Sequence, residues 1–175
     1  MGEPREDFTA FALDVHAADG VSDAAILLQD RCAADVDVLL FAAFIGAVHG
    51  RDFGSQELTT ALERVGPWQQ DVVAPLRAIR RQLKNGPPPA PTQATIALRE
   101  RIKQLELDAE MIELAVLAEL AGDLGGPAAE VDPTERATVA MTVVIQTSAG
   151  REPTSEEHAA IQLIARAAAQ HAGRS

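Results

Sequence analysis

Val38-Leu39-Leu40-Phe41-Ala42-Ala43-Phe44-Ile45-Gly46-Ala47-Val48 is the longest uncharged apolar run in the chain. Its 11 residues fall short of the roughly 20 that a bilayer-spanning helix needs. The run therefore reads as a helix buried in the core of its own chain. Asp35 stands ahead of it as an N-cap, and Gly50 follows it where a C-terminal glycine belongs. Asp35 and Asp37 also make an acidic pair of the kind that binds metal. Helix capping explains them better, and no metal site is expected.

Upstream, Phe8, Phe11, Ala12 and Val15 recur at i, i+3, i+4 and i+7, which predicts a helix over 5–17. Asp19-Gly20 ends it, and Ser22 is the expected cap of a helix over 23–32. Downstream, Ser55 is the expected cap of a fourth helix that stops at Gly66-Pro67. A fifth then starts at Trp68, with Val72, Leu76, Ile79 and Leu83 at helical spacing. Pro75 lies inside that pattern and predicts a kink about one turn upstream. Asn85-Gly86-Pro87-Pro88-Pro89-Ala90-Pro91 reads as a stiff connector over 85–92.

The longest helix is expected over 93–122. Leu98, Ile102, Leu105, Ala109, Ile112 and Val116 form one heptad-like seam, and Leu107, Met111, Leu114 and Ala118 form a second. Two seams predict a broad buried face inside a bundle rather than a dimeric coiled coil. Leu124-Gly125-Gly126-Pro127 breaks the chain, and Asp132-Pro133-Thr134-Glu135 reads as a new helix start. The β-branched Thr138, Thr142, Val143, Val144 and Ile145 keep a strand open at 137–147, with helix favoured. Thr154-Ser155-Glu156-Glu157 is a capping box for a last helix to about 171.

These signals predict an all-α, single-domain bundle of six or seven helices. Its core is expected from residues 38–48, the Trp68 helix and the 93–122 helix. Residues 126–175 stand apart as a candidate C-terminal docking segment.

Composition narrows function by exclusion. The chain has 175 residues, 47% of them apolar and 23% charged, which is the make-up of one globular domain. A net charge of −11 argues against a nucleic-acid or anionic-membrane binder. Aromatic residues at 3%, with no Tyr, argue against a base-stacking surface. The one cysteine, Cys32, excludes an intramolecular disulfide and reads as a reduced, partly buried thiol. The start, Met1-Gly2-Glu3-Pro4-Arg5-Glu6-Asp7, is acidic where a secretory signal is basic, so a cytoplasmic location is expected.

The charges are unevenly placed. Residues 1–63 carry a net −9, residues 64–103 a net +6 and residues 104–175 a net −8. The middle block can pair with either neighbour. Arg77, Arg80, Arg81 and Lys84 share one face of the Trp68 helix. Arg99, Lys103, Glu106, Glu110 and Glu113 share a stripe on the long helix at steps of four and three. A short connector favours the two helices as neighbours, so Arg77 and Arg80 should reach Glu106 or Glu110. The plain outcome is a structural ion-pair ladder. A surplus guanidinium beside a cavity would instead hold a carboxylate or phosphate. Trp68, Gln29 and Asp30 are further candidates to line such a cavity.

No assembled catalytic motif is present. The residues three before His16, His49, His158 and His171 are Leu13, Gly46, Ser155 and Ala168, so no Glu-x-x-His pair exists for a diiron centre. There is no phosphate-binding glycine loop and no dinucleotide fingerprint. No cofactor is expected.

Three groups of residues carry a family resemblance. One is Phe11-Ala12-Leu13-Asp14-Val15-His16 with Leu28-Gln29-Asp30-Arg31 and residues 34–41. The others are residues 68–81, from Trp68-Gln69-Gln70-Asp71 to Arg80-Arg81, and residues 98–110, including Ile102-Lys103-Gln104-Leu105-Glu106. Together they resemble a bacterial family of conserved hypothetical proteins, a domain of unknown function, over about residues 8–120. The chain departs from that pattern at His16, where Tyr is usual, and at Asp37, where Asn is usual. The resemblance implies a helical bacterial protein and supplies no activity.

The leading expectation is a non-catalytic interaction or regulatory protein that docks on a protein partner or on itself. The alternative is a binder of a small anionic, partly apolar molecule, or a cofactor-free enzyme acting on one. Arg77 and Arg80 would hold that molecule, with Glu106 or Glu110 as proton-transfer group. Nucleic acid and membrane are not expected partners.

Overall fold

A computed structural model describes residues 4–123 and 131–174; the break expected at Leu124-Gly125-Gly126-Pro127 lies outside the described residues. Among the described residues all regular structure is helical. The order is α1 (Pro4–His16), α2 (Val21–Cys32), α3 (Val36–Ala47), α4 (Ser55–Trp68), α5 (Ala74–Gln82), α6 (Gln93–Asp123), α7 (Pro133–Ala149) and α8 (Ser155–Ala172). A π-helical turn, Gln69–Val73, runs from α4 into α5 without interruption, so the segments make seven rods.

The apolar run becomes α3, the central rod, in which every residue from Val38 to Ala47 is buried. Asp35 caps it as predicted, accepting from the amides of Asp37 at 3.0 Å and Val38 at 3.4 Å. Around α3 pack α1, α6, α7 and α8. Phe8 and Phe11 of α1 meet Phe41 and Phe44 of α3 in edge and tilted contacts, with centroids 5.0–5.5 Å apart. Each such buried ring stabilises the fold by about 2–3 kcal/mol through area removed from water. Residues of α7 and α8, among them Met141, Ile145, Ile161 and Ile164, belong to the same apolar cluster.

The region 137–147 is helix. Asp132 caps it, accepting from Thr134 N at 3.2 Å. Thr138 and Thr142 turn their hydroxyls back onto the carbonyls four residues earlier, both at 2.7 Å, which satisfies β-branched polar side chains inside a helix. The capping box at α8 is complete: Glu157 accepts from Thr154 N at 2.8 Å, and Thr154 Oγ1 accepts from Glu157 N at 3.3 Å.

Several expectations need correction. The chain does not stop at Gly66-Pro67, because Pro67 sits inside α4 and the helix continues. Pro75 has no amide proton, and the preceding turn widens so that Ala74 N reaches Gln69 O. The disturbance falls one turn upstream of Pro75, as a π-turn. Ser22 and Ser55 are not caps: α2 begins after Gly20, which adopts a left-handed φ of 76°, and α4 begins after Gly54, whose amide donates to Glu57 at 2.9 Å. The Trp68 helix adds only Val73 to the core, and α5 buries no residue. Its apolar positions flank a charged face that a core cannot accept. All buried residues of the long helix lie from Glu106 onward. The first seam is split: Leu98, Leu105 and Ile112 are exposed, Ile102 and Val116 are half-buried and Ala109 is buried.

Candidate functional site

Between α1, α2, the start of α3, the π-turn with α5, and the middle of α6 lies a cavity of about 750 Å³, within the roughly 300–1,000 Å³ of small-molecule sites. Its apolar lining comes from Leu13 of α1, Ile26 of α2 and Leu107, Met111 and Leu114 of α6. Charged side chains line it as well. Helical spacing places Lys103, Glu106, Glu110 and Glu113 on one face of α6, turned toward this space.

The predicted pairing of α5 with α6 is formed. Arg77 Nε donates to Glu106 Oε1 at 3.0 Å, and its Nη2 donates to Glu110 Oε1 at 2.7 Å. Arg80 donates to both Glu106 oxygens, through Nε to Oε2 and through Nη2 to Oε1 at 3.1 Å. Glu106 is buried, and Arg77 is largely so. A buried carboxylate stays ionised only with such partners. Burial works to raise the Glu106 carboxyl, but hydrogen bonds from Arg80 and Arg77 outweigh it, and the group sits below its ordinary value. Burial prevails at Glu110, helped by the Glu106 and Asp35 charges against the pull of Arg77, and its pKa is raised.

Of the sequence-predicted site residues, Gln29, Arg77, Arg80, Glu106 and Glu110 line this cavity. Asp30 is elsewhere, pairing with Arg81 at 3.2 Å on the exposed surface. Trp68 is a docking residue: its Nε1 donates to the carbonyl of Ala109 at 3.0 Å, fixing the end of α4 on α6.

The sequence reading did not bring together Asp35, Asp37 and Glu113. One carboxylate oxygen from each lies within 4.8 Å of the others. Glu113 is 1% exposed, and its Oε1 is buried without a hydrogen-bond partner. Burial, then the charge and hydrogen bond of Asp35, push its pKa up to about 10. Asp37 is raised well above its ordinary value by burial, then by the Asp35 and Glu110 charges. Glu113 was visible as the last member of the α6 stripe. Its meeting with α3 carries no local sequence signal.

The chain matches the family model described as "Protein of unknown function (DUF2390)" over residues 7–117. It belongs to this family. Every residue lining the cavity lies inside the matched segment, whereas α7 and α8 lie beyond it. No curated protein and no solved structure matches the chain. No helix among the described residues is long and apolar enough to cross a membrane.

Proposed function

We propose that the chain binds a small, partly apolar molecule with an acidic end group. The observation that carries this reading is the cavity beside Arg77 and Glu106, lined by both apolar and charged side chains. The apolar part of the ligand lies against Leu13, Ile26 and Met111. Arg77 and Arg80 already have carboxylate partners, so they shape the local field rather than act as a free clamp. Lys103 lines the cavity and forms no ion pair among the described residues; it is the contact for the acid group. If a proton is transferred, Glu110 is the better suited of the two expected carboxyls, because its pKa is raised while that of Glu106 is lowered.

Native mass spectrometry of protein purified gently from its own host tests occupancy, with an adduct of a few hundred daltons expected. Calorimetric titration with octanoate, octanol and octylamine tests the chemistry. Octanoate should bind best, and Lys103→Ala should remove its advantage over octanol. Absence of an adduct together with no binding of any of the three compounds overturns the reading.

A second reading, docking on a further copy of the chain, is favoured by the open seam on α6. Leu98, Leu105 and Ile112 are 45%, 55% and 51% exposed at heptad spacing. Arg101 and Asp108 are also exposed and lie on either side of Leu105. An antiparallel second copy centred between Gln104 and Leu105 would set Arg101 against Asp108. Light scattering of the wild-type chain and Leu105→Lys decides it: a dimer that becomes monomeric on substitution is expected, and a monomeric wild type overturns it.

A further inference from the structure

We infer that Asp35, Asp37 and Glu113 form a site for a hard divalent cation, of the magnesium or manganese class, at the carboxylate end of the cavity. The inference adds to the ligand reading and does not depend on it.

Two independent observations carry it. The first is convergence: one oxygen from each of three carboxylates, the N-cap and a first-turn residue of α3 and one residue of α6, falls within a 4.8 Å cluster. The second is the unpartnered Glu113 Oε1. The side chain is almost wholly buried, yet this oxygen meets no donor. Leaving a buried acceptor unsatisfied costs about 1–3 kcal/mol, more for a charged group, and native structures rarely keep one without a reason. A cation coordinated there removes that penalty.

The charge of the whole cavity agrees. Its lining holds five carboxylates, Asp35, Asp37, Glu106, Glu110 and Glu113, against three cations, Arg77, Arg80 and Lys103. With all of them ionised around a bound cation, the deficit is two positive charges, which one divalent ion supplies. The donor set consists of carboxylate oxygens without sulfur or imidazole, which suits magnesium or manganese rather than zinc or copper. Asp35 is held in place because its Oδ1 accepts from the Asp37 and Val38 amides, an outer-shell arrangement that orients a ligating carboxylate. Three protein ligands leave coordination positions open toward the cavity, where water can bind.

The test uses the metal alone. Full-length protein freed of metal by a chelator is titrated with Mn²⁺, and free ion is read by electron paramagnetic resonance. Wild type is compared with Glu113→Gln and with Asp35→Asn, which keeps a capping side chain on α3. Circular dichroism and thermal melting confirm that each variant is folded. One ion per chain is expected, displaced by Mg²⁺, with binding weakened at least about tenfold in both variants. No binding at about 1 mM Mn²⁺ overturns the proposal and leaves the carboxylates sharing protons. Binding that is unchanged in both variants also overturns it, because the ions then sit on the acidic surface. Should Glu113→Gln fail to fold, Asp35→Asn and the wild-type stoichiometry decide alone. Failure of octanoate binding leaves this result untouched, and failure of Mn²⁺ binding leaves the ligand titration untouched.

Discussion

Gly46 and Ala137 meet backbone to backbone: a Cβ placed on Gly46 would stand 2.8 Å from the amide nitrogen of Ala137. It would also lie 2.8 Å from the carbonyl carbon of Arg136. The central helix α3 and α7 therefore cross with no side chain between them at this point. Because the obstructing atoms are main chain, no rotamer change can relieve the clash.

Gly46→Ala is accordingly expected to destabilise the fold by about 2–3 kcal/mol or more, despite the better helix propensity of alanine. Urea unfolding checks this. A variant as stable as the wild type would mean that α3 and α7 are not in contact at Gly46.

Arg77→Ala leaves the buried Glu106 with Arg80 alone and Glu110 with no guanidinium. A loss of about 2–3 kcal/mol is expected, because stranding a desolvated carboxylate costs more than the pair contributes. Arg77→Lys should recover only part of it, since one ammonium cannot bridge both carboxylates as the planar fork does. Equal stability of the wild type and Arg77→Ala in equilibrium unfolding would contradict the buried ladder.

Trp68 is the one tryptophan of the chain, and its indole donates to the Ala109 carbonyl. Trp68→Phe should cost about 1 kcal/mol, the net worth of a hydrogen bond, with helix content unchanged by circular dichroism. In the wild type, tryptophan emission should shift to the red together with the loss of helix signal on unfolding. An earlier fluorescence transition would show that α4 leaves α6 before the bundle melts.

Glu157 is held by two neighbours in the sequence. It accepts from Arg151 at 2.7 and 2.8 Å and from the amide of Thr154 at 2.8 Å. The Arg151 hydrogen bond first, then the Thr154 backbone, hold its carboxyl below the ordinary 4.5 against the opposing effect of burial. A carboxyl depressed in the folded state adds stability that is fully present above its unfolded pKa. That stability disappears as pH falls through the folded value. Glu157→Gln should therefore melt below the wild type near neutral pH, and the gap should close as the solution is acidified below 4.5. A gap of constant size across that range would contradict the assignment.

The local signals in the sequence are those set by neighbouring residues. Asp35, Asp132 and Thr154 cap helices because a short acceptor side chain reaches an amide two or three positions on, whatever the rest of the chain does. The i, i+3, i+4 recurrence of Phe8, Phe11, Ala12 and Val15 is likewise a property of one helix, and all four residues are buried. Even the Arg77–Glu106 pairing was within reach, because a short connector leaves few ways to arrange the two stripes.

Other features depend on how separate helices meet. Leu98 and Ala109 carry the same seam signature, but only Ala109 is buried, because coverage depends on where neighbouring rods end. Gly66-Pro67 reads as a stop and Pro75 as a kink, yet one continuous rod takes in both, with a widened turn ahead of Pro75. Asp35 and Asp37 have an unremarkable capping pattern until Glu113 arrives from α6. The sequence by itself determined an all-helical chain, most of its helix boundaries and the charged faces of α5 and α6. Tertiary structure decided which faces are covered, where the cavity lies and which carboxylates share it. Helix geometry follows from contacts a turn apart, whereas burial and electrostatics in the site arise from residues separated by scores of positions.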